Sequence, residues 1–146
     1  KIIVAVGNSK LREQIVAELS NCKFPSIIHP KALVSEFANV GEGSIVQANC
    51  IIAANASIGR FLVMNANSGI GHDAKVGKFC SIMSFCDIAG SSKIGSYIFM
   101  GTGAKIIPEI SIASNSYICA GAIVLRSYDK KVKLLGNPCR IISHIN

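Results

Sequence analysis

The sequence predicts a mainly β chain: a parallel β-helix of hexapeptide repeats, preceded by the C-terminal remnant of a small α/β (Rossmann-like) domain. Three observations carry this. From Val34 through Ile70 and Ile94 to Val124, every sixth residue is aliphatic or Met, at sixteen positions. Two residues before each of these, from Ala38 to Ala122, stands Ala, Ser or Cys at twelve of fifteen places; Leu62, Ile98 and Ile110 depart. Gly follows the aliphatic residue at Gly41, Gly59, Gly77 and Gly95, eighteen apart, and Ala113 continues the series.

A helix spaces its apolar residues by three and four and a plain strand by two, so neither yields a strict six; stacked hexapeptide strands do. Residues two apart on a strand share a face, so the small residue points inward beside the large one. A period of eighteen is three hexads, which describes a triangular prism with three short strands per coil and a corner that favours Gly. Residues eighteen apart then stack on successive rungs about 4.8 Å apart. Sixteen hexads make roughly five coils, and the unbroken phase leaves no room for a long loop. Periodicity does not set the handedness; parallel crossovers are ordinarily right-handed.

The flanks differ. "KIIVAV" (1–6) reads as a buried strand, and "GNSKLREQIVAELSN" as a turn into an amphipathic helix with Leu11, Ile15, Val16 and Leu19 at helical spacing. "FPSIIHP" (24–30) reads as a short strand or connector into the coil. One strand and one helix cannot make an open α/β sheet, so residues 1–28 are expected to be the end of a doubly wound domain whose first half is absent. Gly7 and Asn8 end its strand ahead of a helix N-terminus, where such sheets bind ligands. The coil is assigned to 29–126. Residues 127–146 form a basic loop and a terminal strand or tail.

Composition narrows the function classes. The 146 residues are half hydrophobic but only 6% aromatic, without Trp, so Ile, Val, Leu and Ala must build the core. No apolar run approaches the ~20 residues that span a bilayer, so no membrane insertion is expected. No secretory signal is visible in a chain that opens with Lys1, and a cytoplasmic location is expected. The net charge of +7 suits acidic ligands. The Lys and Arg residues are scattered and do not interleave with aromatics, which argues against nucleic acid. The six cysteines form no C-x-x-C pair and no zinc spacing. Cys50, Cys80 and Cys86 fall in the small inward column and read as buried apolar residues. No outward column is a Thr array, so an antifreeze surface fits poorly.

Into this monotony "SGIGHDAKVG" (68–77) introduces an adjacent His72–Asp73 pair. The eighteen-residue rule stacks Ala54, His72, Gly90, Pro108 and Arg126, so a glycine lies one rung above the histidine. A residue without a side chain leaves a backbone N–H accessible and leaves room for a ligand. An imidazole can take a proton from an attacking amine or hydroxyl, and the amide can stabilise a thioester oxyanion. Asp73 can fix the tautomer. The alternative at this point is a pair of polar residues on a solvated turn.

The segments "NSGIGHDAKVGKF", "VAVGNSKLREQI" and "GNPCRII" (136–142) resemble the hexapeptide-repeat acetyltransferases of the NeuD and PglD type, nucleotide-sugar 4-amino-N-acetyltransferases and sialic acid O-acyltransferases. The resemblance covers nearly the whole chain and implies a left-handed coil, a homotrimer and acetyl-CoA bound between neighbouring prisms. It implies His72 as general base, Asp73 as its orienting acid and Gly90 as the amide against the acetyl carbonyl. Cofactor contacts map to Thr102 and Ala120, largely through backbone groups. Many members carry a second, cofactor-lining histidine where this chain has Ser81. Gly7 and Asn8 map to the nucleotide-sugar side. No metal is implied: the trimeric zinc carbonic anhydrases of this fold need a close His pair, which His29, His72 and His144 do not supply. The expected reaction is direct attack by the 4-amino group of a nucleotide-linked deoxy-amino-sugar on the thioester, without an acyl-enzyme. O-acetylation of a sialic acid or another sugar hydroxyl, and a non-catalytic binding or scaffold role, are the alternatives.

Overall fold

The computed structural model describes residues 1–144; the last two residues of the expected C-terminal tail lie outside the described residues. Seventeen two-residue strands recur every six residues from Ile27–Ile28 to Ile123–Val124. Strands eighteen residues apart pair in parallel, as Ile45↔Val63↔Ser81↔Phe99 do, and this generates three sheets that are the faces of a prism. We call them the first, second and third faces, beginning at Ile27–Ile28, Leu33–Val34 and Asn39–Val40. The connector "FPSIIHP" therefore contains the first rung, since Ile27 pairs with Ile45.

The hexad pattern translates directly into the core. From Val46 to Val124 the periodic aliphatic residues are buried, with Met64, Ile88, Met100, Ile118 and Val124 fully so. The small column is buried beside it, including Cys50, Cys80 and Cys86. Its serines are satisfied locally, as where the Ser68 hydroxyl donates to the Met83 carbonyl at 2.9 Å and accepts from the Cys86 N–H. Stacking so many short rungs buries a continuous apolar column that no single coil could bury alone.

The corners differ from expectation in their cause. Gly59, Gly77 and Gly95 are not in the left-handed region. They are required by close approach: a Cβ on Gly77 would lie 2.5 Å from the Ser96 backbone nitrogen on the next rung. The left-handed residue comes two positions later and is usually not glycine, as at Asn55 (φ 60°), Phe61 (φ 58°), Asp73 (φ 58°) and Phe85 (φ 60°).

The expectation of a strand at 1–6 is corrected. Residues 1–6 form no strand; only Val4 is buried, and one backbone bond, Ile2 N–H to the Lys23 carbonyl at 3.0 Å, ties the segment down. A strand needs a neighbouring edge, and none of the described strands runs beside it. Helix α1 (Ser9–Glu18) forms, capped by Asn8, whose Oδ1 accepts from the Lys10 and Leu11 N–H groups at 3.0 Å. Its buried residue is Arg12, whereas Leu11 is exposed and Ile15, Val16 and Leu19 are half-buried. The helix lies on an aromatic ladder one rung apart, Phe61 on Phe79 at 4.9 Å and Phe79 on Tyr97 at 5.7 Å, with Lys10 over the Tyr97 ring at 3.7 Å.

The far end is closed by a hairpin. Strand Val132–Gly136 adds a seventh rung to the first face, and Cys139–His144 returns antiparallel to it. Tyr128, Val132 and Leu134 are buried over the last coil and cap it.

Candidate active site

His72 and Asp73 stand in the turn between the second-face strand Gly69–Ile70 and the third-face strand Lys75–Val76. The turn is pinned to its neighbours by backbone bonds, Asp73 N–H to the Ala54 carbonyl at 3.0 Å below and Ser91 N–H to the His72 carbonyl at 2.8 Å above. Both side chains project outward and are 69% and 50% exposed. The Asp73 Oδ2 lies 2.8 Å from the His72 Nδ1. With the proton on Nδ1, Nε2 carries the free lone pair. The hydrogen bond from His72 comes first, then one from the Asn55 amide, in holding the Asp73 carboxyl below the usual aspartate range.

Gly90 occupies the matching place one rung on. A Cβ there would sit 2.6 Å from the His72 Nε2, so the imidazole fills the space that any other residue would claim. Gly71 is held to glycine by the same stacking, since its Cβ would lie 2.5 Å from the Gly90 nitrogen. Among the described residues the Gly90 N–H has no hydrogen-bond acceptor. An imidazole lone pair and a free amide thus adjoin at one corner, an arrangement able to accept a proton and stabilise an oxyanion.

The other expected residues lie elsewhere on the prism. Thr102 and Ala120 stack in the turns joining the first face to the second; both are exposed, and their N–H groups likewise find no acceptor among the described residues. Gly7 and Asn8 lie against the first face, at a cleft of about 540 Å³ shared with Lys10, Tyr97, Phe99 and Tyr117. Ser81, expected to line the cofactor site, is fully buried. Its hydroxyl donates to the Gly7 carbonyl at 2.8 Å and accepts from Arg12 Nη2 at 3.1 Å, so it presents no side-chain atom to a ligand.

Arg12 escaped the sequence reading. Its fully buried guanidinium donates to the Val6, Gly7, Phe61 and Cys80 carbonyls and to Ser81, with no carboxylate partner among the described residues. Burial lowers its pKa, and the converging carbonyl oxygens compensate for lost water. It fastens the Gly7–Asn8 turn to the coil. Among the described residues, no three His, Cys, Asp or Glu side chains converge to hold a metal, and no helix is long and apolar enough to cross a membrane.

No family model matches the chain. A 49-residue stretch is 37% identical to the serine acetyltransferase of Buchnera aphidicola, and a 48-residue stretch is 42% identical to the Saccharomyces cerevisiae protein YJL218W. These stretches are about a third of this chain (34% and 33%) and span only 18% and 24% of those curated relatives. Solved structures match far more. PerB of Caulobacter crescentus, in complex with CoA and GDP-perosamine, superposes with a TM-score of 0.94 at 30% identity, over 97% of this chain and 69% of that one. The acetyltransferase domain of PglB from Neisseria gonorrhoeae gives 0.94 at 30% identity, over 97% and 70%, and is also known in complex with acetyl coenzyme A. WeeI of Acinetobacter baumannii gives 0.92 at 26% identity, over 96% and 69%. On the prism, the hexad register and this match over nearly its whole length, the chain belongs to the hexapeptide-repeat, left-handed β-helix acetyltransferases of the NeuD and PglD type.

Proposed function

We propose that this chain carries an acetyl-CoA-dependent N-acetyltransferase acting on the 4-amino group of a nucleotide-linked deoxy-amino-sugar, with His72 as general base. The observation that carries the reading is the His72–Gly90 contact, an imidazole Nε2 beside a free amide in a notch that a Cβ would close. The amine attacks the thioester carbonyl carbon as His72 Nε2 removes its proton, the Gly90 N–H stabilises the oxyanion, and CoA leaves through sulfur. Asp73 holds Nδ1 and stabilises the imidazolium. Thr102 and Ala120 supply backbone amides for the cofactor, and residues 1–28, through Gly7 and Asn8, face the nucleotide sugar. The neighbours in complex with CoA and GDP-perosamine support this choice of ligands.

The reading includes a homotrimer. His72 and the Thr102–Ala120 column stand on opposite edges of the second face, and that face and its edges expose Leu33, Ile51, Phe37 and Phe85. A neighbouring prism against this face buries them and brings its own Thr102 column toward His72. A cytoplasmic location accords with six unpaired thiols.

Mass spectrometry of products tests the reading, with wild type and His72→Ala given acetyl-CoA and a panel of UDP-, dTDP- and GDP-linked 4-amino-sugars beside free sialic acid. One acetyl gained by an amino sugar, falling about 10²-fold or more in the variant, is expected. Acetylation of sialic acid instead moves the acceptor to a hydroxyl. Acetyl-CoA failing to bind would leave a scaffold.

A further inference from the structure

We propose that Asn55 is a positioning residue for the His72–Asp73 pair, acting from one rung below; this rests on His72 being the base. Asp73 and His72 are both largely exposed. A carboxylate in such a place rotates freely, and an exposed ion pair contributes little by itself. The Nδ1 bond therefore persists only if the carboxylate is held by its other oxygen. Asn55 holds it: its Nδ2 donates to Asp73 Oδ1 at 3.2 Å while Oδ2 faces Nδ1 at 2.8 Å.

The coil fixes this geometry. Asn55 and Asp73 are eighteen apart in matching left-handed conformations (φ 60° and 58°), so their side chains leave the turn in parallel. The rungs carrying them are locked by the Ser57↔Lys75 pairing and by the Asp73 N–H bond to Ala54. Asparagine tolerates this backbone better than most residues. Its amide donates without a charge, so the carboxylate's full charge remains for the imidazolium that forms when His72 takes a proton.

The same rung-to-rung bond joins Asn49 to Asn67 at 3.1 Å on another corner, where the acceptor is an amide. A purely structural ladder is therefore the competing explanation, and the test has to separate the two.

Asn55→Gly removes the amide and keeps the left-handed backbone unstrained. The expected result is a kcat about 10-fold lower, with KM for acetyl-CoA and the melting temperature little changed. In an Asp73→Ala background the same change has no further effect on kcat, because the path through the carboxylate is already gone. ¹⁵N NMR of His72 reads the same link without turnover, as the Nδ1–H tautomer in wild type and a mixture in Asn55→Gly. An unchanged kcat and tautomer in Asn55→Gly, while His72→Ala is inactive, overturns the inference alone. Additive losses in the double variant also overturn it. An active His72→Ala removes the proposed function beneath it.

Discussion

A Cβ on Gly90 would lie 2.6 Å from the Nε2 of His72. The imidazole of one rung thus depends on the missing side chain of the next. The parallel stack imposes this, because residues eighteen apart share one direction and one 4.8 Å step. Gly90→Ala is expected to keep the coil, since the His72 side chain is exposed and can swing outward. The swing separates Nε2 from the Gly90 amide, and acetyl transfer falls about 10²-fold, as misplacement of a reacting group does. Circular dichroism, melting temperature and turnover check this together; full activity in a folded Gly90→Ala would remove the notch from the mechanism.

Arg12 joins α1 to the coil through three acceptors, the Phe61 and Cys80 carbonyls and the Ser81 hydroxyl, and holds the preceding turn through the Val6 and Gly7 carbonyls. Arg12→Ala strips the Val6 and Phe61 carbonyls of their donor, while the Cys80 and Gly7 carbonyls keep the Val63 N–H and the Ser81 hydroxyl, and is expected to destabilise the chain by about 3 kcal/mol. Arg12→Lys recovers little, because an ammonium cannot span the planar fork. Ser81→Ala removes one acceptor for Arg12 and the donor to Gly7, and is expected to cost about 1–2 kcal/mol. Urea unfolding of the three variants measures the order Ala, Lys, then Ser81→Ala; an Arg12→Ala variant as stable as wild type would show that the junction is held by the aromatic ladder instead.

The coil was legible because its signal repeats: one aliphatic every six residues, without a slip, leaves one architecture. His72, Asp73 and Gly90 were legible through the same arithmetic. So was Asn55, which is eighteen before Asp73, although the reading followed the histidine's column and not its neighbour's. Arg12 was not legible. It meets Cys80 and Ser81 from 68 and 69 residues away, and no period links the helix to the coil. The absence of a strand at 1–6 was equally hidden, since "KIIVAV" has a strand's composition and what decides against it is that none of the described strands offers it an edge.

Phe85 is 59% exposed and sits at φ 60°, a left-handed conformation that costs a bulky residue about 1–2 kcal/mol. Phe61 and Phe79 bear the same strain, but both are buried beneath α1. Among the described residues no aromatic partner stacks on Phe85. In the proposed trimer a neighbouring prism covers this corner. Phe85→Asn is expected to keep the circular dichroism spectrum, relieve the backbone, and shift sedimentation from trimer toward monomer with loss of acetyl-CoA binding. An unaltered trimer would place the subunit contact elsewhere.

Cys80 gives a pH signature of the core. Burial pushes its thiol from an ordinary 9.0 up to about 11, while backbone hydrogen bonds and the nearby Arg12 charge oppose the shift only in part. The sign follows from linkage: the unfolded chain ionises this thiol first, so the folded state's advantage is intact below pH 9 and declines as pH rises toward 11. Two units correspond to about 3 kcal/mol at most. Other groups titrate in this range too, so the informative comparison is with Cys80→Ala, a residue that the same inward column accepts at Ala74 and Ala104. At pH 8 the variant is expected to be less stable by about 1 kcal/mol, having lost the thiol's packing and its contact with the Gly95 carbonyl. By pH 11 that order reverses, because the variant has no thiol to ionise on unfolding. Urea titrations of both proteins at the two pH values measure the crossing; a gap that stays constant would mean that the thiol meets water in the native state, against its complete burial.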